Sequence, residues 1–232
     1  KYNECIDIIV PIMDQLRYIL RENFIWMTSS ERKDFWDKFS FVFLEEMPAV
    51  VNKTGKGTGD LFNALLLSKG IILNSEINLE RIIKKSHSSK LTSIYNNLLR
   101  YRSILIEAEH LNDSLSMHLK DSLKILVARE ERELVALSSE FGDFTKDLYL
   151  QWEEIKEHLG KNDIAIEFVD YSNGSDTTYY SALILGQNYD APQIVHIGTE
   201  EEITRYSKYS SSEYAASQLY DLIWGKVYSI VP

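Results

Sequence analysis

Cys5 and the histidines are the side chains of this chain whose types suit nucleophilic catalysis. A thiolate activated by an imidazole attacks carbonyl carbon atoms, which requires a cysteine within hydrogen-bond reach of a histidine. The chain has one cysteine, Cys5, and five histidines, His87, His110, His118, His158 and His196. Cys5 belongs to an apolar helical pattern, where a lone cysteine normally packs as a small hydrophobic residue. We therefore predict no catalytic residue in this chain.

The five histidines show no spacing typical of a metal site. His110 and His118 are eight residues apart and belong to separate helical segments. His196 is the most notable, because it lies near the end of a predicted strand, where functional groups are often presented. A strand-end histidine partly buried against the following helix explains it more simply. We predict neither a metal nor a cofactor, and the substrate-binding residues stay unknown.

The glycine-rich stretch 52–59, NKTGKGTG, invites comparison with a phosphate-binding loop. That motif requires a glycine five residues before its Gly-Lys pair and a serine or threonine after it. Here position 50 is Val50 and position 57 is Gly57. No strand clearly leads into the stretch either, so it predicts a flexible connection between two helices.

The charge balance disfavours nucleic acid as a partner. The chain has 25 basic and 35 acidic residues, a formal charge of −10. Residues 161–232 carry 4 basic and 10 acidic residues, or −6, so the basic surface of a nucleic-acid binder is missing there. The abundant tyrosines are for this reason interpreted as core and interface residues. Glu167, inside an apolar strand, fits contact with a substrate or partner and the solvent face of an edge strand equally well. No apolar run approaches the length of a membrane span, and the single cysteine fits a reducing, cytoplasmic location.

The sequence pattern predicts helix over almost all of residues 1–160. Apolar residues recur at helical spacing in 3–27, 31–47 and 60–85. From residue 91 two interleaved seven-residue series follow, typical of a coiled-coil seam: Leu91, Leu98 and Leu105, with Ile94, Tyr101 and Ala108. A second apolar face up to residue 137 predicts a long helical hairpin over about 91–140. The charged run 129–133, REERE, is expected on a solvated face of its second helix.

Residues 161–232 mark a second region, because strand patterns begin there. Ile164, Ile166 and Phe168 alternate with their neighbours, and so do Tyr180, Ala182 and Ile184. The polar connection 172–178, SNGSDTT, predicts an antiparallel hairpin. A helix from 147 to 159 ending at Gly160 should precede the strands. A further strand at 193–197, a capping box over 199–202 and a helix from Ser211 or Ser212 should follow them.

Several segments in order resemble the CHAT family, the caspase-like module often found after tetratricopeptide repeats in bacteria. They are ALLLSKGIIL (64–73), REERELVALSSEF (129–141), LYLQWEEIKEHLGKNDIAIEFVDY (148–171), YYSALIL (179–185) and LYDLIWGKV (219–227). The resemblance covers about 60–232 and only the first part of the family's domain. It implies a mainly helical α/β chain. In this reading, residues 1–160 are a helical region that could end a repeat array, and residues 161–232 open a caspase-like α/β sandwich.

The resemblance implies a caspase- or separase-type cysteine peptidase, with a catalytic His and Cys at the ends of successive strands of a mostly parallel sheet. Those strands follow the part that this sequence resembles, so the catalytic pair is expected beyond this chain and the chain itself is expected to be inactive. The alternative is a non-catalytic helical scaffold or pseudo-enzyme that binds a protein or peptide. In either case the exposed sheet or the helical hairpin could form a homo-oligomer.

Overall fold

Helices form most of the first 158 residues, as their apolar periodicity predicts. The computed structural model describes residues 2–23, 27–73, 77–109, 114–138, 150–172, 174, 176–207 and 213–231. Its first eight helices are α1 (Tyr2–Asn23), α2 (Ser29–Phe41), α3 (Met47–Thr54), α4 (Thr58–Leu73), α5 (Ile77–Ser86), α6 (Ser89–Glu109), α7 (Ser114–Ser138) and α8 (Trp152–His158). A π-helical turn, Val42–Glu46, joins α2 to α3.

Three strands and three more helices complete the described chain. The strands are β1 (Ile164–Tyr171), β2 (Tyr179–Gly186) and β3 (Gln193–Thr199), and the helices are α9 (Glu200–Ser207), α10 (Glu213–Tyr220) and α11 (Lys226–Tyr228). A second π-helical turn, Asp221–Gly225, joins α10 to α11. The chain is thus mainly helical with a small three-stranded antiparallel sheet, which confirms the mainly-α α/β class.

The described residues pack into two compact units. Unit 1 comprises Lys1–Arg17, Trp36–Ser68 and Tyr149–Pro232, and unit 2 comprises Tyr18–Phe35 and Lys69–Leu148. The division at residue 160 inferred from the sequence follows the change from helix to strand along the chain and stays a prediction. Packing instead groups segments that are far apart in sequence.

The sheet of unit 1 has the order β1-β2-β3, with both pairs antiparallel. Ile164 lies opposite Gly186 and Tyr171 opposite Tyr179, so the predicted hairpin is confirmed in its full length. The register between β2 and β3 shifts between Tyr180 and Ser181, where β3 carries a bulge. The parallel strands expected of the whole family domain are not present among the described residues.

The two faces of the sheet are covered by different helices. On one face Ala182, Ile184 and Ile197 pack against Val227 of α11 and form a buried core. On the other face α3 and the π-helical turn before it contact β1 and β3. Residues 181–186 of β2 are buried throughout, although successive side chains of a strand point to opposite faces. Unit 1 therefore has helices on both sides of its sheet.

Asn63 joins three distant segments of unit 1. Its side chain donates to Gln151 Oε1 at 3.0 Å and accepts from the backbone N–H of Trp152 at 2.8 Å. Its backbone oxygen accepts a bond from Arg17 at 3.2 Å. Because Asn63 is buried, these bonds satisfy polar groups that would otherwise be costly to remove from water.

Helix α8 is shorter than the sequence pattern predicts. Residues 150 and 151 are not helical, and the helix begins at Trp152 because Gln151 and Glu154 form a reciprocal capping box before it. At the other end Leu159, not Gly160, is the C-cap residue, and its backbone is extended. The predicted start at Asp147 lies outside the described residues. By contrast, the predicted capping box of α9 is confirmed, since Thr199 and Glu202 bond reciprocally.

Helices α6 and α7 of unit 2 pack against each other. Leu91, Ile94, Leu98 and Ala108 of the seven-residue series are buried, so this series faces the interior. On α7 the buried positions are Leu123, Leu134 and Val135 among others. Apolar residues at helical spacing therefore form the core of unit 2.

The charged run of α7 is not a solvated face, and this expectation was wrong for two of its members. Glu130 and Glu131 are buried, and Glu131 is only 2% exposed. Glu131 accepts the backbone N–H of Ser29 at 2.5 Å and lies 3.7 Å from the guanidinium groups of both Arg32 and Arg102. A buried carboxylate is tolerated when it is paired and hydrogen-bonded in this way.

In the part of the chain that the structure describes, no helix is long and apolar enough to cross a membrane.

Candidate functional site

A cleft lies in unit 1 where the sheet meets α3. Its volume is about 360 Å³, and it is lined by Ala49, Asn52, Lys53, Tyr171, Tyr179 and His196. We call it the sheet cleft. It brings together a histidine that the sequence singled out and four polar or aromatic side chains from three separate segments of the chain.

Three aromatic rings form one wall of the sheet cleft. Tyr171 ends β1 and Tyr179 begins β2, and since the two residues are register partners their rings stack with centroids 5.7 Å apart. The ring of His196 on β3 lies 6.1 Å from that of Tyr179, tilted by 50°. The antiparallel pairing of three strands thus aligns the rings across the sheet.

A hydrogen-bond network fixes the base of the sheet cleft. The hydroxyl of Ser181 donates to Asn52 Oδ1 at 3.0 Å, and Asn52 Nδ2 donates to the backbone oxygen of Pro48 at 3.0 Å. Burial raises the pKa of Tyr171, and the nearby hydroxyl of Ser181 acts in the opposite direction. The network holds α3 against the central strand.

The imidazole of His196 is exposed, and its pKa lies below the ordinary value. Partial desolvation lowers this pKa, and the nearby ammonium of Lys226 lowers it further, while the carboxylate of Glu202 acts in the opposite direction. Both charged groups are anchored: Lys226 Nζ donates to the backbone oxygen of Ile197 at 2.6 Å, and Glu202 accepts the backbone N–H of Thr199 at 2.8 Å. A neutral imidazole can donate one hydrogen bond and accept another.

The sheet cleft is suited to binding rather than to nucleophilic chemistry. Ser181 is fully buried and already donates its proton to Asn52, so its hydroxyl is not available to attack a substrate. None of the described residues that line the cleft is a cysteine. Cys5 lies on α1 and is partly buried there. The structure therefore assembles no thiol–imidazole pair at this cleft.

Of the other histidines that the structure describes, none lines the sheet cleft. His87 is exposed between α5 and α6 with a φ of 51°, His118 is exposed on α7, and a ring nitrogen of His158 lies 2.7 Å from the backbone oxygen of Glu154. His110 lies outside the described residues. Across the ranges that the structure describes, no three His, Cys, Asp or Glu side chains converge on a common metal position.

The glycine-rich stretch connects two helices, as predicted, and its glycines have structural roles. Gly55 ends α3 with a φ of 68°, and its N–H donates to Val51 at 2.8 Å. Gly59 lies so close to Trp152 that an added Cβ would come within 2.5 Å of the indole nitrogen. Because a helix and not a strand precedes the stretch, the architecture of a phosphate-binding loop is absent there.

The sequence predicted that Glu167 and His196 lie on strands, but not which residues they meet. Glu167 lies on β1 opposite Leu183 and is half-buried. His196 lies within β3, three residues before its end, and contacts a ring of the neighbouring strand. Asn52 and Ser181 were missed altogether. A serine inside the otherwise apolar run YYSALIL was the one available signal, because a buried hydroxyl requires a partner.

No family model matches this chain, and neither the curated proteins nor the solved structures contain a match to it.

Proposed function

We propose that this chain is the N-terminal part of a CHAT-type, caspase-like cysteine peptidase, with the catalytic His and Cys beyond residue 232. In this role the chain is a non-catalytic platform. The observation that carries the proposal is the sheet of unit 1, whose central strand is buried on both faces by helices. Sheets with helices on both faces support catalytic groups at strand ends in many α/β folds.

The chemistry of the described residues supports a non-catalytic role for this chain. The one cysteine lies on α1, and the most buried hydroxyl of the sheet is committed to Asn52. A caspase-type reaction requires a thiolate with a neighbouring imidazole, together with backbone amides that bind the oxyanion. Further strands beside β3 would bring these groups. The single cysteine also supports a cytoplasmic location, where thiols stay reduced.

The deciding experiment compares the chain with its longer gene product. The gene should continue into strand patterns that carry a His and then a Cys, and the longer protein should hydrolyse peptides in a quenched-fluorescence library. Replacing that downstream cysteine by alanine should abolish the activity, while residues 1–232 alone should be inert. Turnover by residues 1–232 that is lost in Cys5→Ser would contradict the proposal, as would a reading frame without the two strands.

A second candidate function, a helical interaction scaffold, is favoured by the surface of unit 2. Six large apolar side chains of α6 and α7 are exposed: Leu99, Ile104, Ile106, Met117, Leu119 and Ile125. Large exposed apolar side chains that cluster are typical of protein interfaces. If this surface joins two copies of the chain, sedimentation should show a dimer that Ile125→Ser dissociates. A monomer at every concentration would remove this candidate for self-association.

A further inference from the structure

Four aromatic side chains form a continuous surface on unit 1, away from the sheet cleft. They are Phe168, Tyr220, Trp224 and Tyr228, which we call the aromatic patch. The ring of Phe168 meets that of Trp224 edge to face at 6.3 Å, and the rings of Trp224 and Tyr228 lie 6.1 Å apart. The neighbouring phenol of Tyr228 raises the pKa of Tyr220, so the side chains of these two tyrosines lie close to each other. Each ring therefore touches another member of the patch.

The patch is built by a four-residue repeat along one helical run. Tyr220 ends α10, Trp224 lies in the π-helical turn Asp221–Gly225, and Tyr228 ends α11. Residues four apart lie on the same side of a helix, so the three rings form a row. Trp224 is partly buried against the core beside Val227, which anchors the row to the sheet. π-Helical turns frequently occur at functional sites.

The outer rings of the patch are too exposed to be explained by packing alone. Phe168 is 48% exposed, Tyr220 53% and Tyr228 55%. At about 200 Å² for each aromatic side chain, half-exposure leaves roughly 300 Å² of aromatic surface in water. A contiguous patch of this size is comparable to the largest patches on monomeric proteins, which are often functional.

Two exposed acidic side chains lie next to members of the aromatic patch. Asp221 follows Tyr220 directly and is exposed. Asp170 is exposed on β1, two residues after Phe168, and so lies on the same face of the strand. Lys226, the basic residue of this helical run, directs its ammonium to the backbone oxygen of Ile197. Residues 161–232 carry a formal charge of −6, so acidic side chains outnumber basic ones in this part of the chain.

We propose that the aromatic patch is a docking surface for an arginine-bearing peptide segment of a partner protein. Guanidinium groups stack on the faces of Trp and Tyr rings and pair with carboxylates. The aromatic patch offers rings for stacking, and Asp170 and Asp221 offer carboxylates for pairing. The acidic surroundings repel nucleic acids and anionic lipid surfaces. They also oppose a second copy of this chain, which would bring two negative surfaces together.

The test uses residues 1–232 and three labelled peptides of equal length in a fluorescence anisotropy titration. One peptide alternates arginine with glycine and proline, the second replaces each arginine by neutral citrulline, and the third replaces each by glutamate. We expect the arginine peptide to bind at least tenfold more tightly than either of the others, and more weakly as salt is added.

Substitutions then locate the binding surface. Tyr228→Ala and Asp221→Asn should each weaken binding of the arginine peptide about threefold to tenfold, as expected when one cation–π contact or one ion pair is lost. The matched control is Tyr18→Ala, because Tyr18 is also exposed, at 58%, but lies on α1. Tyr18→Ala should bind as the unmodified chain does. Circular dichroism should confirm that all three variants keep their helix content.

Three outcomes would overturn the proposal. Equal binding of the arginine and citrulline peptides would show that charge is not recognised. Unchanged binding in both Tyr228→Ala and Asp221→Asn would place the peptide elsewhere. A chain dimer that Tyr228→Ala dissociates would assign the patch to a second copy and would likewise refute a peptide partner. The proposal does not depend on a catalytic activity in the longer protein, so the two can fail separately.

Discussion

Replacing Glu131 by alanine should destabilise unit 2 by about 3 to 5 kcal/mol. The carboxylate is 2% exposed and lies 3.7 Å from both Arg32 and Arg102. With an effective dielectric constant of about 20, each pair contributes roughly 4 kcal/mol of attraction, most of which offsets the loss of hydration. Without Glu131, the fully buried guanidinium of Arg32 keeps its desolvation cost and loses this attraction. Burial already lowers the pKa of Arg32.

A neighbouring glutamate on the same helix provides the control. Glu133 is 45% exposed in its side chain and pairs with Lys90 at 3.3 Å. Exposed pairs contribute about 0 to 1 kcal/mol, so Glu133→Ala should be nearly neutral. The two variants remove the same chemical group from positions two residues apart on α7. Any difference in stability between the two variants therefore reflects the burial of Glu131 and not a difference in helix propensity.

The assay is urea unfolding followed by circular dichroism, with hydrogen exchange of α7 amides to assign the loss to unit 2. A double variant, Arg32→Met with Glu131→Met, should recover part of the loss, because an apolar pair has no buried charge to compensate. If Glu131→Ala and Glu133→Ala lose the same stability within about 0.5 kcal/mol, the argument that Glu131 neutralises a buried cation is refuted.

Three further predictions concern unit 1. Nuclear magnetic resonance should give His196 a titration midpoint below about 6.5, the pKa of a free histidine. As the pH falls, the unfolded chain therefore binds this proton before the folded chain does. The free energy of unfolding should decrease as the pH drops from about 6.5 through the lowered pKa. His196→Gln should remove this loss, and a midpoint at or above the free value would contradict it. Gly57→Ala should cost about 2 to 4 kcal/mol in urea unfolding, since its φ of 77° is strained for alanine and the new Cβ would come within 3.1 Å of a side chain of α1. Gly55→Ala, with a φ of 68° and open space, should cost only about 1 to 2 kcal/mol, and equal costs would disprove the role of the close contact. Ser181→Ala should cost about 1 to 3 kcal/mol by leaving the amide oxygen of Asn52 without its buried partner, and a loss below about 0.5 kcal/mol would argue against the network.

Local patterns predicted local structure well. Alternation over 164–169 and 179–184 gave the β1–β2 hairpin, and the spacing of Thr199 and Glu202 gave the start of α9. Both rest on groups within a few residues of one another or on strands joined by a short connection. The family resemblance, the catalytic residues beyond this chain and the cytoplasmic location stay predictions.

Long-range pairing was not predictable in the same way. The charge pattern around Glu131 fits a solvated face equally well, because its partners Ser29 and Arg32 lie about one hundred residues earlier. The sheet cleft was missed for the same reason, since Asn52 meets Ser181 across 129 positions. A single sequence shows which side chains need a partner, but the fold decides which residue supplies it.

The bonds of Asn63 have a consequence for the order in which the chain is made. Unit 1 includes residues before 69 and after 148, and Asn63 reaches Gln151 and Trp152 only when 88 and 89 more residues have been synthesised. At about 5 to 20 residues per second, the apolar face of α3 is without its sheet for roughly 4 to 18 seconds on the ribosome. Unit 2 is translated almost entirely during that interval. Nascent chains of this protein should therefore engage chaperones through their first 70 residues.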